Sequence, residues 1–254
     1  MMKKKLMTLA LICCAAFASA QEYKLAKSSG RLELHLGRVT VEGYDGKEIV
    51  FSSSDFKNDN DKRAEGLRSI NSYGLEDNTK LGINVTESGN VVKVYQLKKM
   101  NSPNIKILVP KGITVAYSFE SQYGGDIRFK NVESEIEIAA TYGNVDLENV
   151  TGPMTVKTIY GSVDAVFASS IKDPISIVSV YGHVDVTIPA TTKADVELGT
   201  SHGEILVSPE LKIEVAKTND LVKVSTDKVT GKINGGGLSI NLSCTYGKVY
   251  LRKK

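Results

Sequence analysis

The sequence predicts an all-β protein, a parallel β-solenoid (β-helix) of short two-strand coils, and three observations carry that prediction. A frame recurs as Tyr142-Gly143-Asn144-Val145-Asp146, Tyr160-Gly161-Ser162-Val163-Asp164 and Tyr181-Gly182-His183-Val184-Asp185, with weaker copies at Ser201-His202-Gly203-Glu204-Ile205 and Thr245-Tyr246-Gly247-Lys248-Val249. Self-similarity at a period of about 20 residues marks stacked copies of one supersecondary unit. Strict apolar alternation brackets each glycine, and strands whose two faces differ in solvation read that way. The composition agrees: there is no Trp and only six Pro in 254 residues, with Val, Ile, Thr and Tyr in short alternating runs.

The first 20 residues read as a secretory signal peptide. Lys3, Lys4 and Lys5 form a basic start, an apolar stretch runs from Leu6 to Phe17, and Ala18-Ser19-Ala20 fits a cleavage site that leaves Gln21 first. Cys13 and Cys14 lie in a stretch that only loosely resembles a lipobox, since neither follows Gly, Ala or Ser. The apolar run is too short for a membrane span, and no run of 18 apolar residues follows it. Removing the three signal lysines from 32 basic residues leaves 29 against 29 acidic ones, so the mature chain is neutral. Without a basic excess, phosphate neutralisation gives no case for nucleic-acid binding. Cys244 alone remains after cleavage and is read as a small core residue.

The mature chain, 21–254, is expected to be one domain in two parts: N-terminal strands over 21–100 acting as a cap, and repeated coils over 101–254. In the first part Leu32 to Leu36, Arg38 to Tyr44, Lys47 to Ser52 and Ile83 to Val94 alternate like strands, and a charged loop over 53–63 interrupts them. Solenoids need a terminal cap over their first coil.

In the coils, the residues seven and five before each corner glycine are Ile136 and Ile138, Met154 and Val156, Ile175 and Ile177, Val196 and Leu198, and Ile240 and Leu242. Those two and four after it are Val145 and Leu147, Val163 and Ala165, Val184 and Val186, Ile205 and Val207, and Val249 and Leu251. Each coil is therefore two strands joined at Gly125, Gly143, Gly161, Gly182, Gly203 or Gly247, where glycine is expected for its tolerance of positive φ. One further coil is expected around Asn219-Asp220, with Ile213 and Val215 facing inward. Near-constant corner spacing favours a solenoid over the alternatives of a β-sandwich or β-roll.

Stacking turns equivalent positions into columns. Ala140, Thr158, Ser179, Thr200 and Cys244 form a small column three before the corner, and Tyr142, Tyr160, Tyr181, His202 and Tyr246 an aromatic ladder one before it. Strand parity turns these aromatics inward, or across the corner, where the small residues make room; it predicts that they are at least partly buried and pack rather than bind sugars.

Two sets of residues here, the opening Val39-Thr40-Val41-Glu42-Gly43-Tyr44-Asp45-Gly46 and the Tyr-Gly-x-Val-Asp coils, resemble the bacterial putative-adhesin domain family. That family groups exported β-solenoid-like proteins without an assigned activity. The resemblance covers most of the mature chain and implies a non-enzymatic envelope protein; it supplies no functional residues.

Asp146, Asp164 and Asp185 share an outward place three after the corner and form a candidate divalent-cation or ligand face, oxygen clusters being suited to Ca²⁺. The plainer reading is a solvated polar face. The same carboxylates carry the alternative of a polysaccharide lyase or glycosidase on a β-helix. His35, His183 and His202 lack metal-ligand spacing, and no nucleophile triad or phosphate loop is present, so no catalytic residue and no cofactor is expected. The sequence thus points to an exported, adhesin-like binding or structural module whose partners are envelope glycans or proteins. An envelope signalling partner is a further alternative.

Overall fold

The computed structural model describes residues 21–53, 62–172, 174–215 and 227–254. The signal segment, most of the charged loop and the Asn219-Asp220 corner lie outside them. Strand β1 (Gln21–Leu25) precedes a coil of β2 (Ser29–His35) and β3 (Val39–Tyr44); β4 (Ile49–Ser53), a 3-10 turn at Lys62–Ala64 and β5 (Ile83–Ser88) follow. Five coils come next: β6 (Val91–Gln96) with β7 (Ile105–Pro110), β8 (Gly112–Phe119) with β9 (Ile127–Lys130), β10 (Ile136–Tyr142) with β11 (Val145–Val150), β12 (Met154–Tyr160) with β13 (Val163–Phe167), and β14 (Ile175–Tyr181) with β15 (Val184–Ile188). The chain continues through β16 (Ala194–Thr200) with β17 (Ile205–Val207), then β18 (Ile213–Val215) and β19 (Asp227–Ile233), and ends in β20 (Leu238–Tyr246) with β21 (Val249–Lys253).

First strands of the coils build an eleven-stranded sheet and second strands a ten-stranded one, with parallel, in-register pairing from coil to coil. The alternation explains the core between them. Ile136, Ile138, Met154, Val156, Ile175 and Ile177 from one sheet, and Val145, Leu147, Val163, Ala165, Val184 and Val186 from the other, are all buried in one continuous cluster. Fully burying a side chain of this kind stabilises by about 1.5–3 kcal/mol.

The stacking order departs from chain order at both ends. From one end to the other the coils run β6/β7, β2/β3, β8/β9, β10/β11, β12/β13, β14/β15, β20/β21, β16/β17. The first and last coils of the chain are each inserted one place inside the stack. Residues 21–100 are therefore not one cap: β2/β3 is an internal coil, and the end is closed by β1 and β4, antiparallel to their neighbours, and by β5, antiparallel to β6. At the other end β19 covers β16 antiparallel, and β18 pairs with β19, also antiparallel. This corrects the expected parallel stacking of Ile213 and Val215; the rest of that expected coil lies outside the described residues. Beyond β17 no strand of the ten-stranded sheet faces β18 among the described residues, so Ile213 is only half-buried and Val215 is 56% exposed.

The corner glycines also have a different cause from the expected one. Of the six, only Gly143 has a positive φ, at 96°. At each of the others from Gly161 on, a methyl group would strike the carbonyl of the adjoining coil's corner: Gly161 against Gly143, Gly182 against Gly161, Gly247 against Gly182 and Gly203 against Gly247. Close backbone approach, not handedness of the turn, selects glycine. At Gly125 the obstacle is the Arg38 side chain instead.

Gly161→Ala should lower stability by about 1–3 kcal/mol, the usual cost of overpacking, as read by chemical denaturation. Gly199→Ala, whose nearest obstacle is Ser243 Cβ at 3.9 Å, should change it by less than about 0.5 kcal/mol. Deleting 238–254 should abolish the cooperative thermal transition rather than shorten the stack by one coil, because it empties an internal slot.

Candidate functional site

The corner is where the repeat places its polar and aromatic columns. The small column points inward and bonds the corner carbonyls. Thr158 Oγ1 donates to Gly161 O at 2.8 Å and Ser179 Oγ to the same oxygen at 2.9 Å; Thr200 Oγ1 donates to Gly247 O at 3.0 Å, and the Cys244 thiol to Gly182 O at 3.4 Å. These residues are buried, and burial pushes the Cys244 thiol up. Their closure of the core determines where the next aromatic goes. Strand parity would bring the residue two further on back inside, but the core has ended at the corner.

The aromatic ladder consequently lies outside, which overturns the expected inward placement, although the rings do pack on one another. Tyr160 is 51% exposed, Tyr181 46% and Tyr246 48%; His202 is exposed and Tyr142 half-buried. The rings stack on one another: Tyr142 on Tyr160 and Tyr160 on Tyr181 at 5.2 Å, Tyr181 on Tyr246 and Tyr246 on His202 at 4.9 Å, all within 19° of parallel. His202 meets Tyr246, not Tyr181, because the last coil is inserted between theirs. Each inner ring has both faces covered by neighbours and shows solvent only its edge.

Asp146, Asp164 and Asp185 stand in register on the outer face of the ten-stranded sheet. Each has a cationic or imidazole partner: Arg128 Nε at 3.2 Å from Asp146, His183 Nε2 at 3.0 Å from Asp164, and Arg252 Nε at 2.7 Å from Asp185. Among the described residues no three His, Cys, Asp or Glu side chains converge as metal ligands. Every carboxylate of the column is thus engaged by a side chain from an adjoining coil.

A second feature lies on the outer face of the eleven-stranded sheet, a shallow trough of about 540 Å³. Glu33, Ala116 and Glu137 share one cross-strand row. Ala116 leaves room for Arg31 to pass over β8, where its Nη1 and Nη2 meet Glu137 Oε1 and Oε2 at 2.7 and 2.6 Å and its Nε meets Glu33 at 3.2 Å. This fork holds the Glu137 carboxyl below the usual carboxylate range. In the adjoining row His35 stacks on Tyr95 at 4.5 Å, and Ser118 and Ala139 make a small-residue floor as far as Lys157. Outward parity of His35 and Tyr95 was legible in the alternation; the Arg31–Glu137 pair joins residues 106 apart and left no local signal.

Two facing, mostly parallel sheets in short coils, with repeated columns outside, define an all-β solenoid-like protein. The chain belongs to the Toastrack DUF4097 family, which matches residues 18–251. No curated protein matches it. Among solved structures it is similar to a putative cell adhesion protein from Clostridium sporogenes ATCC 15579, at 12% identity and a TM-score of 0.46 over 92% of this chain and 100% of that one. It is also similar to a putative adhesin from Bacteroides fragilis NCTC 9343, at 11% identity and a TM-score of 0.37 over 92% and 96%. Among the described residues no helix is long and apolar enough to cross a membrane.

The Arg31–Glu137 pair makes a pH prediction. A carboxyl held low in the folded chain stabilises above the ordinary glutamate value of about 4.3 and loses that contribution as pH falls through the folded value. Glu137→Gln should therefore lower the stability at neutral pH, by less than about 1 kcal/mol for a pair this exposed, as read by chemical denaturation. The wild-type and variant stabilities should converge as pH falls through the lowered folded value of Glu137.

Proposed function

We propose that this chain is an exported, non-enzymatic binding module of the bacterial cell envelope, adhesin-like in role. Residues 21–254 act as one domain after removal of residues 1–20. The observation that carries the reading is the exposed five-ring ladder. Aromatic groups are enriched at protein contact surfaces, and here the ring edges together form one continuous strip along the stack. Stacking fixes every ring before any partner arrives, so little rotamer freedom remains to be lost on binding. The ladder runs along the stack, and solenoids suit large, extended partners in this way. Envelope glycans and envelope proteins are the partner classes.

Two observations argue against the glycosidase or lyase alternative. Each carboxylate of the Asp column is already engaged by a side chain from an adjoining coil, and Glu33 and Glu137 share one arginine. Neither arrangement offers a free carboxylic acid opposite a free carboxylate, the pair that glycoside hydrolysis requires.

The test is capture of the protein by purified envelope fractions, sacculi and outer-membrane vesicles, with wild type against Tyr160→Ser/Tyr181→Ser. Loss of stacking should cost about 0.5–1.5 kcal/mol per ring pair, leaving a folded protein by circular dichroism. Capture should fall at least about tenfold. Equal capture of the two proteins, or none of either, overturns the reading.

A further inference from the structure

We propose that the trough on the eleven-stranded sheet is a binding site for a neutral pyranose ring of a glycan chain. The proposal rests on the envelope-binding reading and places a second, independent contact away from the ladder. Unlike the ladder, the trough is made of residues that the repeat does not explain. His35 and Arg31 have no counterparts of the same type in the cross-strand rows they occupy, and Glu137 is the one glutamate of its row that receives a two-pronged arginine fork.

Its walls and floor are complementary to a sugar. One face of His35 lies on Tyr95, and the other looks along the row over Ser118 and Ala139. That face is uncovered, whereas the inner rings of the ladder have none to offer. Sugar C–H groups pack on such a surface. The wall-bearing strands β2 and β12 are three strand spacings apart, about 14 Å, which is room for one ring above the small floor. Along one side runs the Arg31–Glu137 fork, with guanidinium N–H groups and carboxylate lone pairs side by side. Sugar hydroxyls both donate and accept and can bridge such a pair. His35 has no hydrogen bond to either ring nitrogen, and Glu135 and Lys157 have no ion-pair partner, among the described residues. A concave surface with a few convergent polar groups beside apolar and aromatic ones is the usual form of a ligand site. Glu135 and Lys157 have opposite charge, and Arg31 with Lys93 offsets Glu137 with Glu33, which selects a neutral ring over an anionic or cationic one.

The probes are cellotetraose and chitotetraose, titrated into the protein and followed by amide chemical shifts and calorimetry. Either should shift amides at Ser118, Ala139 and Thr155 at millimolar concentration. Ala139→Phe fills the exposed floor without touching the core, and it and His35→Ala should each weaken binding about tenfold or more. Asn241→Ala, on the same sheet face but outside the trough, should bind like wild type. No binding of either oligosaccharide, shifts elsewhere, or unchanged affinity in Ala139→Phe overturns the site. Failure here with ladder-dependent envelope capture intact removes the trough and leaves the envelope reading standing. Oligosaccharide binding at the trough without such capture removes the ladder as the contact surface instead.

Discussion

Close approach of successive coils at one corner is the constraint on which the other columns depend. The corner carbonyl of one coil lies against the glycine Cα of the next, from Gly143 through Gly161, Gly182 and Gly247 to Gly203. With no room for a side chain, the coils are held in register there, and every other column inherits that register at the strand spacing of about 4.8 Å. Ring stacking at 4.9–5.2 Å follows from it. So does the alignment of Asp146, Asp164 and Asp185, which Arg128, His183 and Arg252 from adjoining coils then engage. A carbonyl pressed into the core side of the corner needs a donor, and Thr158, Ser179, Thr200 and Cys244 supply it. Their small size is a consequence of that task.

Inserting the first and last coils inside the stack removes the weak point of a linear repeat. In an ordinary solenoid the terminal coils have one neighbour and fray first. Here β2/β3 and β20/β21 each pair on both sides, and the exposed edges are assigned to β1, β5 and β18, with β17 ending the second sheet. Antiparallel caps also break the parallel pattern that would template another chain. The coil left at the end, β16/β17, is the one whose sequence drifts: His202 replaces the tyrosine, and its second strand has three residues. The weaker frame at 201–205 thus marks a position with fewer neighbours to satisfy.

The two outer faces differ in kind. Columns of identical residues are what stacking alone produces, so their chemistry is muted: rings cover rings, and charges meet counter-charges. The trough draws on residues from β2, β6, β8, β10 and β12 that differ from coil to coil. Specific recognition needs such unlike groups brought together, and only a folded stack brings them.

Much of this was legible in the residues themselves. A period of two fixed which side chains enter the core, and the spacing of Tyr-Gly frames fixed the register, because both are local properties of a strand and its turn. Gly161 announced a corner, though not that a neighbouring carbonyl was its reason. Three decisions were left to the tertiary structure. The ladder faces water because alternation holds only while the strand lies on the core, and Tyr160 is past its end. The order of the coils was undetermined because every coil offers the same apolar pattern and the same hydrogen-bonding edge, so one neighbour is locally as good as another. Arg31 meets Glu137 only because that order places β2 one strand away from β10.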